Sequence, residues 1–323
     1  MDDRTGHGGR GGSGQALRRV VGAAGGAELL GSLADRLPGA DLTTLLLEVF
    51  RRRAERLSPA DVLRRYRSDR FVAPATADFA ALRRAEDAML GALPDGFDTV
   101  VLAPVLPLGA HTAAGGVDPR NVIATIRGTE VAADPTNGLA LEAAVRRDRL
   151  LRQSPRSADP VRLAASQRVT RAQLFDGPVS FAHFQLLGVV TAGRDTGNHE
   201  FERRHLAEHV AAAAAGLASL GIQHVAVAIT CLDEAARLVF ADVANDLARL
   251  AGTEVVEAPE PESGRAYYRG LCFKVFAGGR GGQRLEVGDG GFVDWTAKLL
   301  GNRKERLLIS GFGLDRLALP GDG

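Results

Sequence analysis

Three runs near the end of the chain decide its reading: Ala266-Tyr267-Tyr268-Arg269-Gly270-Leu271-Cys272-Phe273, then Gly290-Gly291-Phe292-Val293-Asp294, then Ser310-Gly311-Phe312-Gly313-Leu314-Asp315-Arg316-Leu317. Each is a β-like run or a glycine-rich turn, and the last is an apolar strand followed by an arginine. Successive side chains of a strand alternate faces, so one of Tyr267 and Tyr268 is expected in the core and the other towards a pocket.

Upstream of these runs the texture is also β. Thr99-Val100-Val101-Leu102-Ala103 reads as a strand stopped by Pro104 and Pro107. Residues 121–126 and 128–132 read as a strand pair, and a helix is expected from Thr136-Asn137 to about Leu151. Residues 161–173 and 180–192 are two more strands joined by the Phe175-Asp176-Gly177-Pro178 turn. Leu206, Val210, Ala213, Ala214, Leu217 and Leu220 make the stripe of a long amphipathic helix ended by Gly221. A buried strand at residues 224–229 and a helix at residues 234–251 follow. Hairpin-linked strands with a few helices to one side predict an α+β fold on an antiparallel sheet. No Walker-type sequence occurs, and no Rossmann fingerprint stands in its required context.

Residues 16–95 read as a mostly helical N-terminal region. Asp41 is placed to cap one helix, Ser58-Pro59-Ala60-Asp61 starts another, and Asp78 opens a third that ends before Pro94-Asp95-Gly96. No catalytic constellation stands there, and its expected work is packing or dimer contact. Residues 1–15 are Gly-, Arg- and Asp-rich and read as a disordered tail rather than a secretory signal. The domain boundaries expected are therefore 1–15, 16–95 and a core at 96–320.

The sequence has 323 residues, 45% hydrophobic and 24% charged, with a formal net charge of +1. That balance is ordinary for a soluble globular protein and supplies no basic field for nucleic acid. No apolar run approaches the ~20 residues that a membrane span needs. Cys231 and Cys272 each sit in an apolar run and read as buried thiols of a reducing cytoplasm.

In this order, the three runs resemble the active-site end of the class II aminoacyl-tRNA synthetases, the histidyl branch in particular. The regulatory subunit of short-form ATP phosphoribosyltransferase is an equally good template. The resemblance runs from about Phe97 to Leu319 and implies an antiparallel class II sheet flanked by helices. The strand at Phe97-Asp98-Thr99-Val100 with Pro104 is similar to the dimer-forming first motif, so a homodimer is implied. Asp134 and Thr136 fall where the family faces its amino-acid pocket. Arg171 falls where motif 2 grips the α-phosphate of ATP, and Gln173 stands where an acid is usual. Tyr267, Tyr268 and Phe273 match the histidine-pocket strand, Gly290, Gly291 and Asp294 match a Gly-Gly-Arg-Tyr-Asp turn, and Gly311, Gly313 and Arg316 match motif 3.

The resemblance thus implies nucleotide-binding candidates Arg171, Gln173, Gly311, Gly313 and Arg316. It implies small-ligand candidates Asp134, Thr136, Tyr267, Tyr268 and Asp294, and ATP with Mg as the cofactor. The departures matter as much. The catalytic arginine is replaced by Ser263, acids by Gln173 and Val190, and the return strand of motif 2 reads Ala182-His183-Phe184-Gln185-Leu186, keeping only the phenylalanine. Fixed cations carry the phosphoryl charge of adenylate formation, and losing one costs about 3 kcal/mol of barrier. The expectation is a degenerate site that binds an amino acid or a nucleotide in a regulatory or accessory subunit with a partner enzyme subunit. The alternative is an ATP-dependent ligase that adenylates a small acid. Seven residues follow Arg316, which leaves no room for the family's anticodon domain, so charging of tRNA is not expected.

Plainer roles stand beside these. Arg171 also suits a surface arginine on a strand, Arg316 a helix-start arginine in a salt bridge, and Asp134 a helix cap. His205 and His209, spaced i, i+4 near His199 and Glu202, have zinc-compatible spacing but read equally as a solvated flank, and no metal is assigned. The residue 278–282 run reads as a hairpin loop rather than a phosphate cradle.

Overall fold

The computed structural model describes residues 9–173, 182–249, 252–259, 267–278 and 284–318. The chain divides into two compact units, residues 1–65 with 126–128, and residues 66–125 with 129–323. The sequence-expected Phe175–Pro178 turn and Ser263 lie outside the described residues, as does most of the residue 278–282 loop.

The first unit is helical: α1 (Gly9–Ala23), α2 (Ala27–Gly31), α3 (Gly39–Ala54) and most of α4 (Pro59–Ser68), with a π-helical turn at Ser32–Arg36. α1 starts inside the stretch expected as a tail. Asp41 lies in the first turn of α3, whose N-cap is Pro38, so it does not cap as expected. Ser58 and Asp61 do form a reciprocal cap, Ser58 N–H donating to Asp61 and Asp61 N–H to Ser58 Oγ. α2 to α4 bury no side chain, and Leu45, Val49 and Phe50 stay largely exposed.

The second unit continues with α5 (Phe79–Gly91), β1 (Asp98–Thr99), β2 (Val105–Pro107), α6 (Ala110–Ala113), β3 (Thr129–Val131), α7 (Pro135–Gln153), β4 (Val161–Thr170) and β5 (His183–Arg194). Then come α8 (Glu200–Ser219), β6 (Val225–Cys231), α9 (Glu234–Leu247), β7 (Thr253–Glu257), β8 (Tyr268–Gly278), β9 (Arg284–Val293), α10 (Trp295–Leu300), β10 (Glu305–Gly313) and α11 (Leu314–Leu317). Eight strands form one sheet in the order β1-β4-β5-β10-β9-β8-β6-β7. The pairs β1–β4 and β6–β7 are parallel and the others antiparallel. The fold is therefore α+β on a mostly antiparallel sheet, as the sequence implied.

Two differences are local. The strand expected at residues 99–103 is cut to β1 because the chain leaves the edge there and Val101 points wholly to solvent. The pair expected at residues 121–126 and 128–132 is reduced to one bridge, Ala124 with Glu130. β3 takes its ladder from β2 instead, and a turn capped by Asp118 occupies Pro119–Asn121.

Each face of the sheet carries a core. On one, Leu206, Val210 and Leu217 of α8 and Val239, Val243 and Leu247 of α9 pack against Leu187, Phe273, Val275 and Leu308. On the other, Leu139, Ala140 and Ala143 of α7 pack against Leu163, Val190, Leu307 and Ile309, with Tyr268 and Trp295 closing the layer. His205 and His209, expected on a solvated flank, are buried in the first core. Thr191 Oγ1 lies 2.9 Å from His209 Nε2 and Ser310 Oγ 2.6 Å from Nδ1, so a hydroxyl engages each ring nitrogen. Among the described residues no His/Cys/Asp/Glu group has metal-binding geometry, and no helix is long and apolar enough to cross a membrane.

Candidate functional site

α7 begins with Asp134-Pro135: the Asp134 carboxylate accepts from Thr136 N–H at 2.9 Å and from Thr136 Oγ1 at 2.7 Å, and proline fills the first position. Behind it, Glu130 accepts from the backbone of Gly109 and His111, and the His111 Nδ1–H donates to Glu130 Oε1 at 2.5 Å. His111 Nε2 in turn accepts from Ala133 N–H at 3.0 Å. Burial raises the Glu130 pKa, but these donors outweigh it and hold the carboxyl below its usual range. This buried relay fixes the backbone beside Asp134, and nothing in the spacing of residues 111 and 130 announces it.

α7 sits against the sheet at Gly188, where a Cβ would lie 2.8 Å from Pro135 Cγ. Across the strands, Gly188 is opposite Gly311, which is opposite Asp289, which is opposite Lys274. Directly paired residues share a face. Among the described residues a Cβ on Gly311 would meet only Leu186 Cδ2, at 3.8 Å. The row therefore has α7 at Gly188, open space over Gly311, and a carboxylate at Asp289.

That carboxylate accepts from the Tyr268 hydroxyl at 2.9 Å. Tyr267 does not take the opposite face, as strand alternation predicted, because the strand starts only at Tyr268; the two rings are 4.4 Å apart, and Tyr267 lies 6.2 Å from Trp295. Burial first, and then the Asp289 charge, push Tyr267 up to about 12, and Tyr268 is raised well above its usual value for the same reasons. Burial also pushes the Asp289 carboxyl up; the Tyr268 hydroxyl opposes this, while the charges of Asp134 and Glu286 add to it. Asp134, Arg171, Tyr267, Tyr268 and Asp289 thus form one electrostatic cluster. Asp289 is the member that motif reading missed; its signal is an acid directly before the Gly290-Gly291 pair.

Arg171 is not a free cation. Its Nη2 donates to Asp134 Oδ2 at 3.1 Å, its Nε to the Ala133 carbonyl at 3.0 Å, and its guanidinium lies 5.1 Å from the centre of the Phe184 ring. Asp134 caps α7, as its plainer reading expected, and the same carboxylate also pairs with Arg171, which the sequence did not indicate. Arg316 stands at the same end of the sheet, where β4 and β10 finish and β5 and β9 begin. Its Nη1 donates to the Glu286 carbonyl at 2.8 Å, and it has no carboxylate partner among the described residues. Gly313 lies beneath the Arg316 side chain. Gln173 is exposed, and Arg70 reaches its backbone carbonyl.

Asp294 is directed elsewhere. It pairs with Lys298 Nζ at 2.9 Å and Arg269 Nε at 3.4 Å, and it lines a separate cavity between α8, α9, β8 and α10. The small-ligand set read from the sequence is therefore split, with Asp134, Thr136, Tyr267 and Tyr268 at the cleft and Asp294 outside it.

No protein-family model matches the sequence, and no curated protein matches it. Solved structures do match in shape. A Bacillus halodurans protein described as an ATP phosphoribosyltransferase regulatory subunit/histidyl-tRNA synthetase superposes with a TM-score of 0.60 and 17% identity, over 78% of this chain and 82% of that one. Apo histidyl-tRNA synthetase from S. aureus gives 0.54 and 15%, over 75% of this chain and 66% of that one. A putative threonyl-tRNA synthetase from Aeropyrum pernix gives 0.57 and 12%, over 73% and 58%. At such identities the likeness concerns the fold. With the sheet order and the motif positions above, it establishes that this chain has a class II aminoacyl-tRNA synthetase-like fold of the histidyl type.

Proposed function

We propose that the cleft over Gly311 binds a small ligand bearing an amino group, an amino acid in the first instance, and that the protein is a class II synthetase-like regulatory or accessory subunit that does not charge tRNA. The observation that carries this reading is Asp289. It is a carboxylate raised by burial, with one neutral donor on it and a second acid, Asp134, near enough to disfavour its charge. An ammonium group placed there relieves both effects, and the Tyr267–Tyr268 pair offers it aromatic faces. The arginine aligned with the α-phosphate grip is already neutralised by Asp134, which weighs against a polyphosphate in the same cleft. The replaced return strand of motif 2, Ala182-His183-Phe184-Gln185, weighs against adenylate chemistry and hence against charging.

The Bacillus halodurans protein is described as a regulatory subunit of an enzyme, and by that likeness the reading includes a partner enzyme subunit. It also includes a homodimer, for which exposed Val101, next to the edge strand β1, and exposed Leu108, just after β2, would supply apolar surface. Two buried, unbridged cysteines suit the cytoplasm.

Calorimetric titration with each of the twenty amino acids tests the cleft. At least one binds, and Asp289→Asn weakens it by about tenfold or more, the scale of a lost charge-assisted hydrogen bond. Binding that is absent throughout, or indifferent to Asp289→Asn, refutes the reading. A second reading, an ATP-dependent ligase, is favoured by Arg316, a cation with no acid partner among the described residues. It predicts ATP–pyrophosphate exchange that is lost in Arg316→Ala.

A further inference from the structure

Outside the cleft, a cavity of about 520 Å³ opens beside α8, α9, β8 and α10. That size is in the range of metabolite sites. Its charged groups are largely engaged with one another or with backbone: the lining acid Asp233 caps α9, accepting from Ala236 N–H. Glu305 is neutralised from behind by Arg147, and Arg306 is taken up by Asp195 and by one oxygen of Glu202. Arg269 and Lys298 remain, sharing the single acid Asp294, and Arg303 adds a third cation with no acid partner among the described residues. From a different element, Glu202 lines the same cavity with Oε2 buried and without a hydrogen-bond partner. A buried carboxylate oxygen left unpaired is costly, and a ligand donor would satisfy it. Leu271, Phe292 and Val293 supply apolar wall.

We infer that this cavity is a second ligand site, taking a small phosphomonoester that carries hydroxyl or N–H donors: the phosphate between Arg269, Lys298 and Arg303, a donor on Glu202 Oε2. Guanidinium forks and an ammonium are the groups that recognise a phosphate dianion. The site is independent of the Asp289 cleft and stands whether or not that cleft binds an amino acid.

The test is the thermal shift of the whole protein with glycerol 3-phosphate, glucose 6-phosphate and uridine 5′-monophosphate, against glycerol and against sodium sulfate at equal ionic strength. At least one ester raises the melting temperature above both controls, and comparison of the sugar and nucleotide arms identifies the source of the phosphate. The gain is kept in Arg171→Ala and in Arg316→Ala. It weakens at least tenfold, by titration, in Lys298→Ala/Arg303→Ala, whose side chains are exposed, and also in Glu202→Gln, which keeps an acceptor for Arg306. No ester surpassing sulfate overturns the inference. So does an ester whose effect survives Lys298→Ala/Arg303→Ala, or disappears in Arg171→Ala or Arg316→Ala, which would move the ligand to the first cleft. An effect equal for the esters and inorganic phosphate, or unchanged in Glu202→Gln, overturns the role of Glu202.

Discussion

Arg147 and Glu305 are both fully buried and joined in a fork, Nε to Oε2 at 2.7 Å and Nη2 to Oε1 at 3.0 Å, with the remaining donors on the Ser157 and Asp159 carbonyls. A buried pair adds little over a well-packed apolar pair, but half of one is very unfavourable. Glu305→Ala should cost about 3–5 kcal/mol by urea unfolding, whereas surface Arg152→Ala should lie within about 0.5 kcal/mol of the wild type. His209 makes a pH prediction. Burial first, then the charge of His205, lowers its pKa from the ordinary 6.5 to about 3. The unfolded chain therefore binds a proton that the folded one refuses, and stability is lost as pH falls from about 6.5 towards 3, at up to about 1.4 kcal/mol per pH unit. Unfolding free energies between pH 4.5 and 7 should show this slope, flattened in His209→Gln; a slope untouched by that change would refute the assignment.

At the scale of the element, β9 shows why glycines were the readable part of its motif. A Cβ on Gly291 would lie 2.6 Å from the Tyr268 ring, and one on Gly290 would lie 2.5 Å from the Ile309 carbonyl and 2.6 Å from the Phe273 ring. Aromatics from β8 lie over both, one on each face. Gly291→Ala should cost about 1–3 kcal/mol through overpacking and shift Tyr268 off Asp289. Gly311→Ala has room and should leave the melting temperature nearly unchanged while narrowing the cleft, so that amino-acid binding falls with stability intact. Equal loss of stability in the two variants would contradict the open space above Gly311. Asp134 belongs to this scale too: α7 needs a cap there, which local sequence declared, but the same carboxylate also holds Arg171, which arrives from the end of β4.

For the whole molecule, the two cores on opposite sheet faces bury both thiols, and no disulfide joins them. Burial pushes Cys272 up to about 11 and raises Cys231 as well. Neither should react with a thiol reagent at pH 7 until the sheet opens, so labelling should follow global unfolding, and both thiols should appear together under denaturant. Fast labelling of one thiol in native conditions would show that its side of the sheet opens independently.

The α+β class, most of the helices, the long strands and the order of motifs along them were legible in the residues alone, because caps, hydrophobic periods and glycine pairs act over a few residues. Asp78, Ser58 and Asp134 declared their helices in this way. Local sequence did not reveal that Asp289 would face Tyr268, that Asp294 would turn to another cavity, that His209 would be buried between two hydroxyls, or that Arg171 would be neutralised. Each of those depends on strand register and on which side chain a distant element brings opposite. Burial and charge pairing act through space, and their partners stand tens of residues apart along the chain, so they emerge only once the chain is folded.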